Sequence, residues 1–247
     1  MNKQDIYAVV LAGGKGTRLN CVDQPKVLLE VGGKPMIRYV ISEVKKVTKN
    51  IVVITGFCVQ KIEEELKDEG VEFAHQAQQL GTAHAAVQAS KLFKNRDGVI
   101  LIINGDHPLL DAGTLRQMIL AMQSGLTLAI ASAIENNHIS FGRVIRNKKG
   151  RVIGVVEAKD ATPEQLKIKE KNIGFYVAQN KWLWSALKRI EKSKVTGEYY
   201  ITDLVDIAIK DGEPVEAVRI KNLNAIKGVN TPDELKEVEE IIQKSNR

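Results

Sequence analysis

Val99-Ile100-Leu101-Ile102-Ile103 is an unbroken apolar run, mostly β-branched and bounded by Asp97-Gly98 and Asn104-Gly105. A stretch this short with no polar face reads as a strand buried on both sides. Such strands belong to sheets, mostly parallel, that carry helices on each face. The rest of the first half fits. Ile6 to Leu11, Ile51 to Thr55, Val71 to His75 and Leu126 to Ala133 are further strand-like runs. Between them Ile37, Val40, Ile41, Val44 and Val47, and later Leu115, Met118, Ile119 and Met122, recur at helical spacing. The alternation predicts an α/β fold, a doubly wound, mostly parallel sheet.

The pattern changes near Ile134. Arg143 to Arg146 and Val152 to Val156 are strand-like and joined by Asn147-Lys148-Lys149-Gly150, a hairpin signal. Strands are expected at Asn172 to Val177 and Val215 to Ile220, and helices at Lys181 to Glu191, Ile201 to Lys210 and Pro232 to Gln243. Thr231-Pro232-Asp233-Glu234 supplies an N-cap, a first-turn proline and acidic residues for the last helix. The expectation is one domain over residues 1–247, with a nucleotide-binding lobe at 1–133 and a smaller mixed-sheet lobe at 134–247.

With 36 Lys and Arg against 30 Asp and Glu, the chain carries +6, which suits anionic ligands. The basic residues are interspersed with acids, and aromatic residues make up only 5%, so neither a basic arm nor a base-stacking platform is present and no nucleic-acid partner is expected. Cys21 and Cys58 stand far apart without neighbouring ligands for zinc. No run reaches membrane-spanning length and no leader pattern precedes Ile6, so no membrane partner and a cytoplasmic location are expected.

Leu11 closes the first strand and is followed by Ala12-Gly13-Gly14-Lys15-Gly16-Thr17-Arg18-Leu19. Glycines at the carboxyl end of a parallel strand let backbone N–H groups approach phosphate oxygens, and Lys15 and Arg18 add positive charge. The loop lacks the Gly-Lys-Ser/Thr ending of a P-loop. It also carries Leu19 where a dinucleotide fingerprint has its third glycine. After the third strand, Gln76-Ala77-Gln78-Gln79-Leu80-Gly81-Thr82-Ala83-His84 offers amides able to pair with a base edge ahead of a helix start. His84 is expected to pack within that helix. Asn104-Gly105-Asp106-His107-Pro108 places a carboxylate at the end of the most apolar strand, a position suited to magnesium.

Read with Gln24-Pro25-Lys26-Val27-Leu28 and Gly33-Lys34-Pro35-Met36, the glycine loop resembles the signature of the sugar-nucleotide pyrophosphorylase superfamily. The Gln79-Leu80-Gly81-Thr82-Ala83-His84-Ala85 string resembles the uridylyltransferase domain of the bacterial bifunctional N-acetylglucosamine-1-phosphate uridylyltransferase/acetyltransferases. So do Phe141-Gly142-Arg143, Val156-Glu157-Ala158-Lys159, Asn172-Ile173-Gly174, Gly197 to Asp203 and Gly228-Val229-Asn230, in the same order. The likeness runs from Val9 to about Thr231.

That resemblance implies the Rossmann-like nucleotidyltransferase fold and the reaction of UTP with N-acetylglucosamine 1-phosphate, releasing pyrophosphate. By the same resemblance, Leu11, Ala12, Gly13, Gly14, Lys15, Gly16 and Thr17 bind the nucleotide, with the Gly13 to Thr17 backbone holding its phosphates. Arg18 stabilises the leaving group and Lys26 contacts the reacting phosphates. Gln76, Gly81 and Thr82 select uracil. Asp106 and Asn230 hold Mg2+, while Gly142, Glu157, Asn172, Tyr200 and Thr202 line the sugar pocket. Three positions depart from the family: Asn104 for a usual Tyr, His107 for a usual Val or Thr, and Phe141 for a usual Tyr. The family's acetyltransferase half is a β-helix of hexapeptide repeats, which these residues do not contain, so acetyl transfer is not expected. The competing readings are the same reaction on another sugar 1-phosphate or nucleotide, and a non-catalytic regulator that binds sugar nucleotides.

Overall fold

The computed structural model describes residues 5–16, 19, 21, 23–135 and 141–245. Among these residues the strands are β1 (Ile6–Leu11), β2 (Glu30–Val31), β3 (Lys34–Pro35), β4 (Asn50–Thr55), β5 (Glu72–His75), β6 (Val99–Asn104), β7 (Leu128–Ile134), β8 (Gly142–Arg146), β9 (Val152–Val156), β10 (Glu170–Gln179) and β11 (Val215–Arg219). The α-helices are α1 (Met36–Val44), α2 (Val59–Leu66), α3 (Thr82–Ala86), α4 (Ser90–Phe93), α5 (Ala112–Ala121), α6 (Pro163–Leu166), α7 (Asn180–Leu187), α8 (Leu204–Lys210) and α9 (Pro232–Ser245). None is long and apolar enough to cross a membrane among the described residues.

The main sheet runs β11-β7-β10-β6-β1-β4-β5, and β2 and β3 form a separate small antiparallel pair. β6, β1, β4 and β5 are mutually parallel, as the apolar runs predict. Alternate residues feed opposite faces. Val9, Val52, Ile54, Ile100 and Ile102 meet Ala83 and Ala86 of α3, Phe93 of α4, Leu183 of α7 and Leu204 of α8. Ala8, Val10, Val53, Leu101 and Ile103 meet Ile37 and Val40 of α1, Ile62 of α2 and Leu115 of α5. The sheet is therefore doubly wound.

The second half differs from its expected layout. The strand-like runs after residue 134 do not build a separate mixed sheet: β10 inserts antiparallel between β6 and β7, and β11 pairs parallel with β7. Only the β8–β9 hairpin leaves this plane, joined through the first residues of β10. A register irregularity between Asn172 and Tyr176 bends β10, with Gly174 at φ +84° inside it. Before the bend β10 pairs with β8; after it, with β6. The sheet thus splits beside Asn104, and a cleft opens where β6 ends and β8 begins.

Two helices differ at their ends. The segment expected from Lys181 to Glu191 is helical only to Leu187, and Ile190 is buried beyond the helix end. The segment from Ile201 opens with a 3₁₀ turn before α8. The C-terminal helix starts as its sequence predicts: Thr231 Oγ1 accepts from the Glu234 N–H at 3.3 Å, and the Glu234 carboxylate accepts from the Thr231 N–H at 3.0 Å. α9 packs Val238 and Ile242 on Val31 and Met36, which carries the preceding Val229-Asn230 back to the sheet edge.

Candidate active site

Sheet register explains why motifs far apart in sequence meet. Leu11 pairs with Asn104 on one side and Ile54 on the other, and Thr55 pairs with His75. The strands therefore finish in one row, and the residues just after each end, Ala12 to Gly16, Gly56, Gln76 and Gly105-Asp106, share one edge. This is the carboxyl edge where open α/β sheets collect ligands.

Close backbone approach needs glycine at several of these positions. A Cβ on Gly13 would stand 3.0 Å from Gln76 Oε1, and one on Gly56 would stand 2.8 Å from the Gly13 carbonyl oxygen. The tightest is Gly81, at φ +115°, where a Cβ would lie 2.4 Å from the Tyr199 carbonyl oxygen. There the loop before α3 is laced to the Tyr199 segment: Tyr199 N–H donates to Leu80 O (2.8 Å), Ala83 N–H to Tyr199 O (3.0 Å) and Ile201 N–H to Thr82 Oγ1 (3.0 Å).

Two adjoining cavities, of about 290 and 280 Å³, lie along this edge. Leu11, Ala12, Gly13, Gly14, Lys26, Gln76, Gly81 and Thr82 line the first. Gly142, Glu157, Asn172, Tyr200 and Asn230 line the second. Thr82, Asn104 and Asp106 border both. The residues expected to bind nucleotide and those expected to bind sugar thus separate into neighbouring spaces with Asp106 between them. Lys15 is exposed and borders neither cavity, while Gly16 backs Lys26, since a Cβ there would stand 2.7 Å from Lys26 Cβ. Thr17 and Arg18 lie outside the described residues.

In the first cavity Gln76 is 3% exposed and its orientation is fixed. Its Nε2 donates to Gly81 O at 3.1 Å and meets His84 Nδ1 at 3.0 Å. With both N–H bonds engaged, Oε1 is left facing Gly13. His84 is therefore more than a packing residue. It is the third residue of α3, and the i to i+8 spacing from Gln76 gave no sequence signal for the contact.

In the second cavity Asn172 Nδ2 donates to Tyr176 OH at 2.8 Å, and its Oδ1 accepts from Gly174 N–H at 3.3 Å. Thr202 does not border the cavity, but its hydroxyl donates to Glu157 Oε1 at 3.0 Å. The Tyr200 hydroxyl pairs with Thr196 Oγ1 at 2.7 Å. Burial raises the Glu157 carboxyl; the Thr202 bond opposes that shift, and Asp160 and Glu198 add to it. Asp203, buried beside Asp206, Glu157 and Asp160, is pushed up to about 6.

On the shared wall, Lys26 is delivered by a 3₁₀ turn, Lys26–Leu28, anchored by buried Val27 and Leu28. Its ammonium contacts Asp106 Oδ2 and donates to Asn230 Oδ1 at 2.9 Å. Asn230 is held in turn by Val229 N–H donating to Asp106 O (2.9 Å) and by its own N–H donating to the Glu234 carboxylate (2.7 Å). Burial alone would raise the Asp106 carboxyl, but the Lys26 ammonium and His107 hold it well below the usual range, so it is an anion. Its side chain is 13% exposed.

One carboxylate oxygen and one amide oxygen thus already converge on a cation, the lysine ammonium. That donor set fits Mg2+, which takes few protein oxygens and draws its other ligands from water and phosphate. Among the described residues no group of three or more His, Cys, Asp or Glu side chains is arranged to hold a metal.

The chain is 38% identical over 243 residues to the bifunctional protein GlmU of Pelotomaculum thermopropionicum, covering 97% of this chain and 52% of that protein. It is 40% identical over 225 residues to the bifunctional protein GlmU of Latilactobacillus sakei, covering 90% and 48%. The chain spans about half the length of these relatives. Its fold is similar to that of a UDP-glucose pyrophosphorylase solved with UDP-glucose, at a TM-score of 0.76 and 17% identity, over 98% of this chain and 100% of that one. Residues 7–240 match the sequence profile of the nucleotidyl transferase family, and the chain belongs to that family.

Proposed function

We propose that the chain transfers a uridylyl group from UTP to N-acetylglucosamine 1-phosphate, giving UDP-N-acetylglucosamine and pyrophosphate. The observation that carries this reading is the pair of adjoining cavities with Asp106 in their common wall, because an in-line displacement needs donor and acceptor phosphates to meet at one point. The similarity to the two named GlmU proteins, at 38% and 40% identity, supports the reading.

Uracil lies against Gln76, whose free Oε1 accepts from the base N–H. The backbone of Gly13, Gly14 and Gly16, with Thr17, carries the phosphates, and Arg18 neutralises the departing pyrophosphate. Glu157, held by Thr202, accepts from sugar hydroxyls, and the second N–H of Asn172 and the Tyr200 ring complete the pocket with Gly142. The sugar phosphate oxygen is already anionic, so the step needs no general base and no covalent intermediate. Catalysis is positioning and charge neutralisation. Asp106 and Asn230 would hold Mg2+, which would supply positive charge to the reacting phosphates. Lys26, on the same wall, contacts the phosphate oxygens as a second cation.

Pyrophosphate release, measured across the four ribonucleoside triphosphates with N-acetylglucosamine 1-phosphate and glucose 1-phosphate, tests the reading. UTP with the acetamido sugar is expected to be fastest, by about tenfold or more over glucose 1-phosphate, because a site built for the acetamido group leaves a buried partner unpaired without it. Faster turnover of glucose 1-phosphate would reject the sugar assignment, and preference for GTP would reject the base assignment. No turnover with any pair would favour a binding regulator.

A further inference from the structure

We infer that His107 is a positioning residue that fixes the Asp106 carboxylate for a divalent cation. This rests on the proposal that Asp106 is a metal ligand. Nothing in the phosphate chemistry requires a histidine at this position.

The two oxygens of Asp106 have different partners. Oδ2 faces the Lys26 ammonium, and Oδ1 lies 2.9 Å from His107 Nδ1. The ring is 4% exposed and rests edge-on against Phe175, with centroids 4.8 Å apart and planes at 69°. Room for it exists because residue 228 is glycine: a Cβ there would stand 2.8 Å from both Cε1 and Nε2. Nε2 is buried and has no hydrogen-bond partner among the described residues.

These facts fix the donor. A proton on Nε2 would be buried without an acceptor, whereas a proton on Nδ1 donates to a carboxylate. His107 therefore donates from Nδ1 to Oδ1, and Nε2 lies in the slot beside Gly228. A carboxylate on a strand end can rotate about its own axis. One N–H from a ring that packing holds still removes that freedom and leaves Oδ2 and a lone pair of Oδ1 for a cation. The hydrogen bond does not depend on Lys26. Partners of this kind, one step removed from the ligand, are commonly worth about 10–100-fold in metal affinity.

The test is Mn2+ binding to the full chain without nucleotide, followed by calorimetry or by the signal of the free ion. His107→Leu fills the slot without a donor and is expected to weaken Mn2+ binding about tenfold or more, while His107→Asn, which keeps an N–H where Nδ1 was, recovers most of the affinity. Gly228→Ala, which sets a methyl against the ring, should shift affinity in the same direction as His107→Leu. A readout on the unsubstituted chain guards against variants that fail to fold: the imidazole nitrogen signals should show Nδ1 carrying a proton that is hydrogen-bonded to the carboxylate.

Parent-like Mn2+ affinity in His107→Leu, equal weakening in His107→Asn, or an Nδ1 that carries no proton would each overturn the inference. Asp106→Ala separates the two levels. If it abolishes Mn2+ binding while His107→Leu does not weaken it, only the positioning role falls; if it binds Mn2+ like the parent, the metal assignment falls and takes this inference with it.

Discussion

The two cavities are built by different means. The first is shaped by backbone: parallel strand ends brought level by register, with Gly13, Gly56 and Gly81 where main chains pass too close for a Cβ. The second is shaped by side chains, Glu157, Asn172 and Tyr200, set around a bend in the one antiparallel strand inserted into the parallel series. A phosphate chain has the same shape in every nucleotide, so fixed N–H groups suit it. A sugar is distinguished by the placing of its hydroxyls and substituents, which side chains read. The difference implies that changes in the first cavity should act through geometry and changes in the second through chemistry.

The largest effect is expected where the cavities meet. Asp106→Ala should lower turnover on the order of 10³-fold while cooperative unfolding persists, because the carboxylate positions a cation and fills no core. Asn230→Ala should lower it less, since an amide oxygen carries no net charge. Steady-state rates against Mg2+ concentration check both.

The next prediction contrasts two glycines. Gly81→Ala has nowhere to put its methyl and sits at φ +115°, so it should cost about 2 kcal/mol or more of stability and raise KM for UTP. Gly142→Ala meets Val156 O at 3.1 Å on an ordinary strand backbone, so it should cost less and act on the sugar phosphate. Denaturant unfolding with saturation kinetics on each variant separates them. Equal losses would erase the contrast between a backbone-built and a side-chain-built cavity.

The smallest concerns the acids behind the sugar cavity. Asp203 titrates at about 6 in the fold against an ordinary 3.8. The folded state therefore binds its proton more tightly, and stability rises as pH falls from about 6 toward 4. Asp203→Asn should be about 1–2 kcal/mol more stable than the parent at pH 7, with the advantage vanishing near pH 4. Denaturation midpoints at the two pH values measure this. An advantage that does not shrink on acidification would mean that charge is not its source.

Legibility in the sequence followed the same division. β1, β4 and β6 were plain because strands buried on both faces must be continuously apolar, and the phosphate loop and Asp106 were plain because each begins where such a run stops. β10 was visible as a strand, but its direction was not. Apolar alternation is the same read either way, and insertion between β6 and β7 depends on partners 36 to 80 residues away. The smaller lobe expected after residue 134 is mixed in strand direction, as expected, but continuous with the main sheet for that reason. The roles of His84 and His107 were illegible because each rests on one hydrogen bond set by the fold, to Gln76 and to Asp106.

The account stands most directly on whether the two cavities take different substrates. KM for UTP and for N-acetylglucosamine 1-phosphate should be measured with Gln76→Ala and Asn172→Ala beside the parent, under saturating Mg2+. The expected result is separation: Gln76→Ala raises KM for UTP about tenfold with little effect on the sugar phosphate, and Asn172→Ala does the reverse. If either variant raises both KM values together, or if each acts on the other's substrate, the assignment of nucleotide and sugar to their cavities is wrong.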